Sequence, residues 1–206
     1  MFKVLNVLCV VCVLSTGIYA NVINFDDVAS NPANYSIIGT GLNEFGIMET
    51  DYAIANGYDG FNWNDIGVVM GSELPGTGYA NGTVSPDYVA FNWAGSDASI
   101  SDGTFNFNGA YLTSAWYDDN VVTIQGLSNG IVVDTKSFAV TTENPIWADC
   151  NFNDIDQLTF SSSDVQFAMD NFTYNSNSVP EPATMSLIGL SLVAMAGIGA
   201  FRRKKK

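Results

Sequence analysis

Two short runs at opposite ends of an acidic central segment hold the residues best suited to chemistry. They are Phe25-Asp26-Asp27 and Met169-Asp170-Asn171-Phe172. Carboxylate and carbonyl oxygens are the hard ligands that Ca2+ takes. If the strands bearing these runs pair, Asp26, Asp27 and Asp170 form a candidate calcium site. Val165, Phe167 and Met169 share one parity, whereas Phe172 and Tyr174 have the other. A β-bulge at Asp170-Asn171 would produce that flip and re-aim a side chain. The alternative is local, because Asp also favours turns and strand ends.

Asn151-Phe152-Asn153-Asp154-Ile155-Asp156 gathers oxygens in a similar way. It lacks the Gly and the distant Glu of a helix-loop-helix calcium loop, so a loop between two strands is the simpler reading. Aromatics interleaved with Asn and Asp suit sugar, since a ring face stacks and amides or carboxylates bond hydroxyls. Trp116, Tyr117 and Asp118 are the candidate sugar-binding residues, because their run continues through Asp119-Asn120 as an exposed loop would. In a β-sandwich, however, alternating aromatics also build the core.

Composition excludes other chemistries. The chain has 206 residues, 21 of them Asp or Glu, seven Lys or Arg, and no His. Serine or cysteine catalysis through His and His-ligated zinc are therefore excluded. Between Asn21 and Pro180 a single cation, Lys136, faces 20 carboxylates, a net charge of −19. Such a segment cannot neutralise phosphates, so nucleic acid is not an expected partner. Four Glu in that segment (Glu44, Glu49, Glu73, Glu143) show no spacing that marks the acid/base pair of a glycosidase. A small carboxylate-dependent glycosidase or lyase is the weakest reading, and no catalytic residue is expected. Cys150 is the only Cys of the segment, which leaves a buried thiol or a link between two chains.

These residues have to be positioned by strands. Sustained helical periodicity is missing from residues 21–174, whereas β-branched and aromatic runs alternate with Gly, Asn, Asp and Ser clusters. Expected strands are Val22–Phe25, Tyr35–Ile38, Gly46–Tyr52, Gly60–Met70, Tyr88–Trp93, Thr104–Asn108, Ala110–Trp116, Val121–Leu127, Ile131–Val140, Ile146–Phe152, Gln157–Ser161 and Val165–Tyr174. Ser128-Asn129-Gly130 suits a hairpin turn with positive φ. The expectation is one all-β domain, an antiparallel β-sandwich.

The two ends read as addresses. Residues 1–20 combine Lys3, an apolar run from Val4 to Leu14 and a small residue at Ala20, the features of a secretory signal peptide cleaved after Ala20. Residues 175–182 form a linker that ends in Pro180-Glu181-Pro182. Residues 183–201 are uncharged, roughly 28 Å of helix at ~1.5 Å per residue, enough for a transmembrane helix. Arg202, Arg203 and three lysines close the chain as a basic cytoplasmic tail.

Pro180-Glu181-Pro182, the span and Arg202-Arg203 together resemble the PEP-CTERM sorting signal of Gram-negative bacteria. The resemblance implies recognition by an exosortase, a membrane-embedded processing enzyme. It also implies an exported precursor anchored by its C-terminal helix, then released to the cell surface or an exopolysaccharide or biofilm matrix. Ile23-Asn24-Phe25-Asp26-Asp27, Gly57-Tyr58-Asp59-Gly60-Phe61-Asn62-Trp63, Tyr88-Val89-Ala90-Phe91-Asn92, Phe105 to Leu112 and Phe167 to Phe172 are similar to small secreted proteins of that kind. Their layout also resembles jelly-roll, carbohydrate-binding-module-like domains, which implies adjacent first and last strands and a structural Ca2+. The expected role is structural, within the exopolysaccharide layer. The alternative is a carbohydrate-binding module with a defined sugar site.

Overall fold

In the computed structural model the described residues are 20–42, 46, 48–163 and 166–176. The signal peptide, Pro180-Glu181-Pro182, the expected span and Arg202-Arg203 lie outside them. No helix among the described residues is long and apolar enough to cross a membrane.

Among the described residues eleven strands form one antiparallel sheet: β1 (Asn21–Ile23), β2 (Tyr35–Leu42), β3 (Met48–Ile54), β4 (Asn62–Asn64), β5 (Ile66–Met70), β6 (Tyr88–Asn92), β7 (Ala98–Ser114), β8 (Asn120–Ser128), β9 (Ile131–Val140), β10 (Ile146–Ser162) and β11 (Phe167–Ser176). Their order is β2-β3-β5-β6-β11-β7-β10-β8-β9, with β1 beside β11 and β4 beside β7. The fold is thus all-β and antiparallel, as the sequence indicates.

Alternation explains the layering. In β8, Val122 and Ile124 are buried while Thr123 and Gln125 reach the other face. In β10, Leu158 and Phe160 are buried between Gln157, Thr159 and Ser161. One contiguous core takes Ile54 from β3, Phe107 and Leu112 from β7, Ile124 from β8 and Val140 from β9. Strands near both ends of the order share that core, which a flat sheet cannot achieve, so the sheet curls around it. A smaller cluster lies on the opposite face of β5, β6 and β11. There Val69, Val89, Phe91 and Ala168 pack with Leu74 and Tyr79, the latter in a five-residue helix α1 (Gly78–Gly82).

Several expected boundaries change for identifiable reasons. The run Gly60–Met70 breaks at Asp65, whose φ of 54° turns the chain from β4 to β5. Two pairs of expected short strands instead merge into β7 and β10, 17 residues each. Asn151 (φ 53°) and Asp154 (φ 54°) absorb irregularities inside β10 without ending it. The oxygen-rich run Asn151–Asp156 is therefore bulged strand and not a loop. At the C-terminal end β11 continues to Ser176, two residues into the expected linker, and Asn175 Nδ2 donates to Asn108 Oδ1 at 3.0 Å.

Three expectations hold in detail. Asn129 (φ 52°) and Gly130 (φ 75°) make the β8–β9 hairpin turn. The register of β11 shifts between Asp170 and Thr173, with Asn171 at φ 52°. First and last strands are neighbours, Asn21 lying opposite Tyr174 and Ile23 opposite Phe172.

Candidate functional site

The adjacency of β1 and β11 brings Asp26 and Asp170 to one segment, residues 84–88. Asp170 is fully buried. Its Oδ2 accepts from the Val84 and Ser85 amides, both at 2.7 Å, and its Oδ1 from the Ser85 hydroxyl at 2.9 Å and the Asn171 amide at 2.6 Å. Asp26 Oδ1 accepts from the Tyr88 amide at 3.1 Å. Asp27 points elsewhere, and its Oδ1 accepts from the Tyr58 hydroxyl at 2.6 Å.

The expected calcium site at Asp26, Asp27 and Asp170 is not the arrangement found. A cation needs oxygens that converge with free lone pairs, whereas Asp170 is surrounded by N–H and O–H donors. Among the described residues no group of three or more carboxylate or thiol side chains is placed to hold a metal ion. As placed, the three carboxylates accept from N–H and O–H donors and do not converge on one point. The bulge does re-aim Asp170, but at the loop joining α1 to β6. Burial is the largest influence on Asp170 and on Asp26, and raises both above the ordinary carboxylate value despite the bonds they accept.

The expected sugar platform at Trp116, Tyr117 and Asp118 is also divided. Trp116 sits edge-on to Tyr79 at 5.3 Å, and its Nε1 donates to Gln166 Oε1 at 2.7 Å. That ring is packing for the smaller core. Tyr117 is exposed beside it. Asp118 accepts from the Thr142 amide at 2.9 Å and hydroxyl at 3.0 Å, which lowers its pKa and ties two loops together. Two free aromatic faces with a free carboxylate are not found at this loop. The sequence does not show the packing of Trp116, because α1, with five residues, has no periodicity that would reveal it as a partner.

A different surface carries an extended row of uncharged polar side chains. On the outer face, cross-strand pairing aligns Asn64 (β4), Ser99 (β7), Thr159 (β10), Gln125 (β8) and Thr135 (β9) in one row. Neighbouring rows add Asn62, Ser101 and Gln157 on one side and Ser161, Thr123 and Ser137 on the other. Five strands at a spacing of ~4.8 Å make the row roughly 19 Å long. A groove of about 390 Å3 runs through it, lined by Asn64, Asp97, Ser99, Gln125, Gln157, Thr159 and Ser161 among others. That volume falls in the ~300–1,000 Å3 range of small-ligand sites. Asp97 is the one carboxylate among the lining residues.

Bonds within the row are long. Gln125 Nε2 donates to Thr135 Oγ1 at 3.4 Å, and Thr159 Oγ1 to Gln125 Oε1 at 3.5 Å. At such distances little is lost when a ligand replaces them. At one end, Asp65 lies next to Asn64 and lines a second cleft of about 210 Å3 with Trp63, Trp93 and Ile38. The Trp93 amide donates to the Asp65 carbonyl at 2.8 Å, which fixes that rim. The clue in the sequence was uncharged polar residues at every second position of five separate strands, but only the register shows that they line up.

Residues 178–204 match the PEP-CTERM protein-sorting motif, a segment that contains Pro180, Glu181, Pro182, Arg202 and Arg203. Comparison with curated proteins returns no match. Among solved structures, the chain is similar to a DUF4465 family protein from Bacteroides caccae at 14% identity and a TM-score of 0.48, over 77% of this chain and 100% of that one. The chain thus carries a PEP-CTERM sorting motif, which implies an exported protein recognised by an exosortase and processed at the membrane.

Proposed function

We propose that the processed protein resides in the exopolysaccharide or biofilm layer of a Gram-negative bacterium and that its body, a jelly-roll-like sandwich, holds uncharged polysaccharide. The observation that supports this reading is the neutral polar row from Asn64 to Thr135. Hydroxyls and amides both donate and accept, as sugar hydroxyls do. The 20 carboxylates between Asn21 and Pro180 repel an anionic chain from a surface that itself holds almost no charge. Asp97 is the one carboxylate among the residues that line the groove, and the reading takes the groove as a binding surface.

Affinity electrophoresis of the body against dextran or hydroxyethyl cellulose, with alginate as the anionic comparison, tests the reading. Retardation by a neutral polymer and none by alginate is expected. The Gln125→Ala/Thr159→Ala variant should bind about tenfold more weakly, since lost bonds worth ~1.4 kcal/mol change affinity by that factor. Equal binding by the variant, or preference for alginate, refutes the groove. Indifference to every polymer leaves only an inert structural role in the layer.

A further inference from the structure

The strand order ends at β9, and among the described residues β9 pairs only with β8. This edge is ten residues long and exposes Ile131 (68%), Val132 (45%) and Val133 (54%) at its start. An unprotected edge of that length is a template for another strand. It also carries Lys136, the one cation between Asn21 and Pro180, two residues after Asp134.

We propose that the body forms a two-fold dimer by antiparallel pairing of β9 with β9 of a second copy, with Thr135 opposite Thr135 of the partner subunit. Charge selects this register. Asp134 then lies opposite Lys136 of the partner subunit, and the two-fold axis repeats the pair. A shift of one residue at each strand's centre places Asp134 opposite Asp134 of the partner subunit, or Lys136 opposite Lys136 of the partner subunit, and like charges directly opposite destabilise a ladder. The same register sets Val132 against Phe138 of the partner subunit and Ile131 against Ala139 of the partner subunit, so two exposed apolar side chains gain neighbours.

The hydrogen bonding agrees with this placement. The Thr135 amide donates to the Asp134 carboxylate of its own chain at 2.8 Å, so this N–H is not committed to the β8 ladder. In the dimer it donates to the carbonyl of the partner subunit's Thr135, and Asp134 turns to the partner subunit's Lys136. Because this self-contact and the bond from Lys136 Nζ to the Asp149 carbonyl at 2.8 Å must both be exchanged, the association is weak and concentration-dependent. A second copy is favoured over an unrelated partner because each strand supplies both charges that the other needs. The inference stands apart from saccharide binding, although the dimer would run one neutral row into the next at Thr135.

Sedimentation velocity of the body (residues 21–176, which hold every described strand and both cores) over a roughly 100-fold concentration range tests it. A monomer–dimer equilibrium is expected. Thr135→Pro removes the outward N–H, together with the hydroxyl that accepts from Gln125 at 3.4 Å, and should yield monomer that remains folded. Lys136→Asp places four carboxylates at the axis and should also yield monomer. The Asp134→Lys/Lys136→Asp exchange restores complementarity and should recover the dimer. A wild-type body that stays monomeric, or a Thr135→Pro variant that still dimerises, overturns the proposal. If Lys136→Asp and the exchange variant dissociate alike, the register is overturned.

Discussion

Ser85 donates both its amide and its hydroxyl to the carboxylate of Asp170, 85 residues away, at 2.7 and 2.9 Å. With the Val84 amide this closes the loop after α1 onto the bulge of β11. A bulge that breaks a ladder leaves donors without partners, and here one buried carboxylate receives them. Asp170→Ala should therefore lower stability by on the order of 2–3 kcal/mol, the cost of leaving part-buried donors unmet. Urea unfolding measures this directly. A change under half a kilocalorie would show the loop to be held by other means.

The pH dependence has a definite sign. Burial is the largest cause of the raised pKa of both Asp26 and Asp170, whose ordinary value is 3.8. An acid whose folded pKa exceeds its unfolded one binds protons better when folded. Its contribution is complete below 3.8 and is lost as pH rises through the folded value. Asp118 is lowered, so its contribution fades only below 3.8, outside that window. Mutual repulsion of the carboxylates acts in the same direction as Asp26 and Asp170. The melting temperature should fall as pH rises from 3.8, and salt should recover only part of the loss. A flat or rising profile contradicts the burial argument.

Gly109 lies opposite Asp149 where β7 pairs with β10, and a β-carbon there would run into the Ala148 carbonyl oxygen and lie 2.9 Å from the Trp147 ring. Gly109→Ala should cost about 1–3 kcal/mol by overpacking. Gly103→Ala is the matched control, because open space surrounds that position within 4 Å. Thermal melts of the two variants should separate clearly, and equal melts would mean that the pairing of β7 with β10 yields easily there.

Cys150 is 1% exposed, and burial pushes its thiol up to about 12. The thiolate is the reactive form. Iodoacetamide near pH 8 should leave the folded body unmodified and label it fully after guanidinium unfolding. The same burial argues against a link between chains, so reducing and non-reducing gels of the folded body should agree. Labelling of the native protein at the rate of a free thiol would show that the core opens readily.

Replacement of Pro180-Glu181-Pro182 by alanines should leave a full-length precursor in the membrane fraction. Immunoblots of fractionated native host cells give the answer. Normal processing would show that the rest of residues 178–204 suffices for recognition.

What could be read from the chain beforehand depended on whether the information was local. Ser128-Asn129-Gly130 announced its hairpin through residues that tolerate positive φ, and the parity change around Asp170-Asn171 announced a bulge. Asp65, Asn151 and Asp154 were harder, because a single left-handed residue can either end a strand, as at Asp65, or merely kink it, as in β10. Which outcome follows depends on the partner strand. The saccharide candidate shows the same limit. Trp116 and Tyr117 were conspicuous by type, yet a five-residue helix took one ring for packing. Ser99, Gln125 and Thr159 are inconspicuous alone and become a surface only through register.

The flanking of β11 by β7 over Phe167–Ser176 and by β1 over Phe172–Tyr174 also governs how the body bears load. Tension on the backbone beyond Ser176 acts along the axis of β11, perpendicular to the ladder bonds on either side. Those bonds resist together in shear and do not peel one after another. A body held by its C-terminal end against flow, with polymer dragging on the far side of its sheet, would be loaded in its strongest direction.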